Sequence, residues 1–104
     1  MDPDLTTTIR PRSDGKVEVV VAGEVDLANV ARFRDTLTSA APNGETVVVD
    51  LTDVAYLDSA GIAVLYELVQ YHRLELIIGP GCLVTTVLKV CGLTNAVPVH
   101  DRGY

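Results

Sequence analysis

Basic residues are scarce in this 104-residue chain: eight Lys and Arg stand against fourteen Asp and Glu, a net charge of −6. Nucleic-acid surfaces are built from clustered cations, and the few present here are scattered, so direct contact with nucleic acid is not expected. Cysteine is equally sparse. Cys82 and Cys91 cannot form a disulfide framework, lack the paired spacing of a zinc site, and read as small apolar residues. If both lay on one helix, nine residues would put them on opposite faces and roughly 13 Å apart, too far to be bridged. His72 and His100, the only histidines, have no Cys or carboxylate at ligand spacing and read as surface residues. Neither a metal site nor a bound cofactor is expected.

Long apolar runs are missing too. None approaches the roughly 18 residues of a bilayer crossing, and the acidic start Met1-Asp2-Pro3-Asp4 has neither the basic nor the apolar region of a secretory signal. A cytoplasmic protein without membrane attachment is expected. Gly79-Pro80-Gly81 lacks the spacing and the lysine of a phosphate-binding loop. No repeat, linker or low-complexity segment divides the chain.

What is present suffices for one domain over 1–104, with 1–4 and 101–104 as flexible tails, because 48% hydrophobic residues can build a single core at this length. Thr6–Arg10 and Lys16–Gly23 flank the turn signal Ser13-Asp14-Gly15, predicting an opening β-hairpin. Val30, Phe33 and Leu37 recur at helical spacing between Leu27 and Thr38, with Asp26 as the expected N-cap. Thr46–Leu51 is a β-branched run that predicts a buried strand of a parallel sheet. A short bend then leads to a helix over Ser59–Tyr71, with Ile62, Leu65 and Val69 on its apolar stripe. Leu74–Ile78 predicts a strand, Val84, Val87, Leu88 and Cys91 a third helix stopped by Gly92, and Val97–Val99 a last strand. Strands alternating with helices after a hairpin define an α/β domain: a mixed sheet of four to five strands packed against about three helices.

The most informative stretch runs from Val47 to Ile62. Asp58 reads as an N-cap and Ser59 as the first-turn residue of the helix that follows. Unpaired N–H groups and the positive end of the helix dipole at such a position accommodate phosphoryl charge. Ala60 and Gly61 carry so little side chain that another protein could approach the Ser59 hydroxyl closely. Asp50, at the strand end, reads as a structural hydrogen-bond acceptor.

With Gly23-Glu24-Val25-Asp26-Leu27-Ala28-Asn29 upstream and Leu88-Lys89-Val90-Cys91-Gly92-Leu93 downstream, this stretch resembles the anti-sigma factor antagonists, small proteins built on the STAS domain. The resemblance spans about Val17 to Val99. It implies that Ser59 is phosphorylated by an anti-sigma factor with serine kinase activity, the partner carrying ATP and Mg. It further implies that the unphosphorylated chain, a monomer when free, binds that partner and so releases a sigma factor. Asp26, Asp58, Ser59, Ala60, Gly61 and Ile62 are then the partner-binding residues. Three departures stand out: the connection at Tyr71-His72-Arg73 is short, no terminal helix follows the last strand, and Ala60 replaces a second hydroxyl residue often found there. The alternative is a STAS interaction module of a larger signalling or transport assembly, without a kinase cycle. An enzyme is not expected, since a nucleophilic Ser59 needs an adjacent base and neither histidine is placed to supply one.

Overall fold

The computed structural model describes residues 5–79 and 83–101. Strands β1 (Leu5–Pro11) and β2 (Val17–Val25) form the expected hairpin, pairing antiparallel from Leu5↔Gly23 to Pro11↔Val17. Its loop is a tight turn closed by Gly15 N–H to Arg12 O at 3.2 Å, with Gly15 at φ +86°, a left-handed conformation that glycine adopts without strain. The Lys16 N–H, aided by the Arg12 guanidinium, holds the Asp14 carboxyl below its ordinary range.

Helix α1 (Val30–Ser39), strand β3 (Val47–Leu57), helix α2 (Ser59–Tyr71), strand β4 (Leu74–Ile78), helix α3 (Leu83–Val90), a 3-10 turn (Leu93–Asn95) and strand β5 (Val99–Asp101) follow. The sheet order is β1-β2-β3-β4-β5, antiparallel at the first pair and parallel thereafter. The domain is thus the expected α/β type, with five strands and three helices. No described helix is long and apolar enough to cross a membrane.

All three helices serve one face of the sheet. Phe33 and Leu37 of α1, Val64, Leu65 and Leu68 of α2, and Val84 and Leu88 of α3 share one core with Val19, Val21, Val49, Leu51, Leu76 and Ile78. The opposite parity carries Glu18, Val48 and Glu75, side by side on β2, β3 and β4. Val48 is 0% exposed and Ile77 3%, yet neither belongs to that core. They lie under a charged layer instead: Lys16 Nζ is 3.1 Å from Glu75, His100 Nε2 is 2.9 Å from Glu75, and Arg12 is 3.1 Å from Glu18. The apolar stems of such side chains shield hydrocarbon while their heads stay wet. His100, expected at the surface, is half-buried and joins this layer through Glu75.

Several boundaries differ from expectation for identifiable reasons. Strand β3 does not end in a bend after Leu51; it continues to Leu57 and carries two extra residues relative to β2, between Val20/Ala22 and between Gly23/Glu24. Asp50 Oδ1 pins the first irregularity by accepting from Thr52 N at 3.0 Å and Thr52 Oγ1 at 2.7 Å, the structural role expected of it. Buried residues of α2 are Gly61, Val64, Leu65 and Leu68, while Ile62 and Val69 only flank the core. The stripe is rotated because the first turn settles onto strand residues at Gly61. The last strand begins at Val99 rather than Val97, and Asp101, expected in the tail, pairs with Ile78. The expected tails over 1–4 and 102–104 lie outside the described residues.

Candidate functional site

β2 and β3 run parallel to Val25↔Leu57, so the two family-like elements end side by side. The Asp58 N–H donates to Val25 O at 3.1 Å, joining the turns that follow. Asp58 is extended (φ −86°, ψ −177°), and its Oδ1 accepts from Ala60 N at 2.9 Å and Gly61 N at 3.2 Å. This is the N-cap expected from the sequence, and it satisfies two of the donors a helix start leaves open. Ser59, the first helical residue, is exposed, and its hydroxyl is not needed for the cap.

Asp26 is not the cap of α1. That helix starts at Val30 behind Asn29, three residues later than expected. Asp26 instead heads a separate turn: its Oδ1 accepts from Ala28 N at 2.9 Å and Asn29 N at 3.2 Å, and Asn29 Oδ1 accepts from Asp26 N at 2.9 Å. Asn29 Nδ2 also donates to Glu24 O at 2.9 Å, so one side chain fixes the approach and the start of the turn. The reciprocal pairing has the logic of a capping box. Asn29 had not been singled out from the sequence, although the Asp-x-x-Asn spacing carries the signal.

Gly61 is buried, unlike Ser59. A Cβ there would lie 2.5 Å from Leu57 Cδ1 and 2.9 Å from Val25 Cγ1, so the residue is small to let α2 rest on the two strand ends. Of the residues expected to meet a partner in this turn, Ser59 is exposed, Ala60 and Ile62 are half-buried, and Gly61 is not at the surface. Two large apolar side chains are exposed on nearby elements: Leu27, beside Asp26, is 78% exposed, and Leu83, at the start of α3, is 67% exposed. Between α3 and the end of β3 lies a cleft of about 50 Å³ lined by Ala55, Tyr56, Leu57, Leu83, Val84 and Val87.

Neither histidine adjoins Ser59. His72 ends α2 thirteen residues further on, about 20 Å along the axis, and His100 belongs to the Glu75 cluster on the helix-free face. The arrangement offers a hydroxyl at a positive helix end, flanked by two carboxylates already engaged in turns. Such a position accommodates the charge of a phosphoryl group, and neither histidine stands beside the serine. Of the cysteines, Cys91 lies just past α3 with Sγ 3.3 Å from Leu88 O, and Cys82 is outside the described residues, as is the disulfide expectation that depends on it.

The comparisons agree with this architecture. The anti-sigma-B factor antagonist of Listeria monocytogenes is 23% identical over 103 residues, covering 94% of this chain and 90% of the relative. The crystal structure of an anti-sigma factor antagonist from Mycobacterium paratuberculosis superposes with a TM-score of 0.83 at 21% identity, covering 95% of this chain and 88% of the other. The anti-sigma factor antagonist SpoIIAA in its unphosphorylated form gives 0.72 at 19% identity, covering 92% and 87%. At these identities the structures establish a shared fold. The family model described as "Mlab, STAS domain" matches residues 9–98, spanning both turns, the Ser59 helix and strands β2 to β4, and the chain belongs to the STAS domain family.

Proposed function

We propose that this protein is an anti-sigma factor antagonist whose unmodified form binds an anti-sigma factor with serine kinase activity and thereby frees a sigma factor in the cytoplasm. Phosphorylation of Ser59 ends that binding, with ATP and Mg held by the partner. The observation that carries this reading is the exposed Ser59 hydroxyl at the start of α2, with the cap supplied by Asp58 and the Asp26 turn alongside. The names of the sequence relative and of the structural neighbours point the same way.

The added phosphate carries about −1.5 to −2 charges, which a helix N-terminus tolerates. A partner surface fitted to a neutral serine meets bulk, desolvation and repulsion between like charges, which costs several kcal/mol. The test is capture of partners from cell extract, followed by titration of the recovered partner with unmodified and stoichiometrically phosphorylated protein. Binding should fall at least about tenfold on phosphorylation, a factor equivalent to 1.4 kcal/mol, while Ser59→Ala binds constitutively. Equal binding by both forms removes the switch. The second reading, compatible with membership of the STAS family, is an interaction module of a larger signalling or transport assembly without a kinase cycle. Recovery of a transporter or sensor scaffold instead of a kinase-like ATPase would select it.

A further inference from the structure

The outer edge of β1 is self-complementary, and we infer that two copies of this chain pair there, antiparallel, to form one continuous ten-stranded sheet. The argument is independent of the role given to Ser59.

Hydrogen bonding fixes which backbone groups face outward. The Arg12 N–H donates to Lys16 O at 2.9 Å across the hairpin, whereas the Val17 N–H turns away from β1 to Thr46 O, also at 2.9 Å. Alternation along an antiparallel pair then directs the N–H and C=O groups of Arg10, Thr8 and Thr6 toward β2. Those of Pro11, Ile9, Thr7 and Leu5 point outward. Among the described residues no strand pairs with this edge.

A twofold axis perpendicular to the sheet and midway between Thr8 and its copy sets Thr7 opposite Ile9 and Leu5 opposite Pro11 of the second copy. Thr7 and Ile9 then exchange both of their bonds, twice over. Leu5 can donate to Pro11 O, but proline has no N–H to return to Leu5 O. That carbonyl is the one already satisfied within its own chain, by Arg32 at 3.0 Å. Every outward group of the strand is thereby paired.

Side chains fit the same register. Ile9, 50% exposed on the helix-bearing parity, gains Thr7 of the second copy as a cross-strand neighbour. On the other face Thr8 meets Thr8 and Arg10 meets Thr6, so the only charge on the strand faces no like charge. The two β2 strands stand about three strand spacings, roughly 14 Å, apart, more than the 8–10 Å that two packed helices need, which leaves room for the α1 helices that contact β2. An edge of this kind is a pairing template unless it is blocked.

Sedimentation velocity from about 10 µM to about 1 mM, the range in which so small an interface would assemble, should show the 11.1 kDa species giving way to one of twice that mass. Hydrogen exchange read by NMR should slow at least tenfold for the Thr7 and Ile9 amides between those concentrations, while Thr6, Thr8 and Arg10 amides are protected at both. Thr7→Pro removes an outward N–H without touching the β1–β2 ladder, and it should abolish the dimer while melting near the parent temperature. A single monomeric species throughout overturns the inference, as does a dimer that survives in folded Thr7→Pro. Should the variant not fold, the exchange pattern of the parent decides: protection that ignores concentration, or falls elsewhere, refutes the β1 edge.

Discussion

A methyl group at Gly61 would drive Cβ to 2.5 Å from Leu57 Cδ1 and 2.9 Å from Val25 Cγ1, so two buried side chains would have to shift. Gly61→Ala should therefore destabilise the domain by about 1–3 kcal/mol in chemical denaturation, despite alanine being the better helix former. A variant as stable as the parent would mean that α2 can lift off the strand ends. At the neighbouring cap, Asp58→Ala should cost about 1 kcal/mol and Asp58→Asn only a fraction of that, because asparagine accepts the Ala60 and Gly61 N–H groups equally well. Equal losses for both would point to the charge rather than the cap. The Asp58-Ser59 pair was legible in the sequence because a cap and the first turn after it are local features. Asp26 was misplaced for the converse reason. Its partners Ala28 and Asn29 make a closed turn, so the helix could start only after Asn29 had spent its own side chain on that turn.

Between elements, Tyr66 holds α2 to the end of α3: its hydroxyl donates to Cys91 O, just before Gly92 turns left-handed at φ +84°. Desolvation raises the Tyr66 pKa, with the contact to Cys91 adding to it. A group whose folded pKa lies above its unfolded value contributes stability below the unfolded pKa and loses it as pH rises through the folded one. The parent should thus weaken on titration above the ordinary tyrosine range, and Tyr66→Phe should lose less over that interval; identical alkaline profiles would remove Tyr66 from the account. Along β3, Asp50→Ala frees the Thr52 N–H and hydroxyl at the first irregularity, and a loss of about 1–2 kcal/mol is expected in urea titration. The same irregularity hid the second half of the strand, from Thr52 to Leu57, from sequence reading. Alternation holds from Val47 to Leu51 and then breaks, which looks like a bend when no partner strand is visible.

At the scale of the molecule, one core joins all three helices to the sheet, which is the condition for all-or-none unfolding. Far-UV dichroism and tyrosine fluorescence should give coincident urea transitions; separated midpoints would show that α3 or the hairpin melts alone. The order of elements and the mixed sheet could be read from the chain, since the helices carry a 3.6-residue apolar pattern and β2 and β3 are rich in β-branched residues. The bare face of the sheet could not. Val47, Val48 and Val49 are all buried, a signature of cover on both sides, but on the face of Val48 the cover is a layer of polar side chains, Lys16, Glu18, Glu75 and His100, rather than a helix.

The two extra residues in β3 give the strand something like a reading frame. Inward positions step by two through Val47, Val49 and Leu51, then by three to Val54 and by three again to Leu57. One insertion alone would invert every later side chain, turning Leu57 outward and Asp58 into the core. The second restores the phase, as a compensating insertion does in a coding sequence. Ser59 owes its outward aim to an even number of such errors, so loss of one residue between Thr52 and Tyr56 should disable the site more thoroughly than any substitution within it.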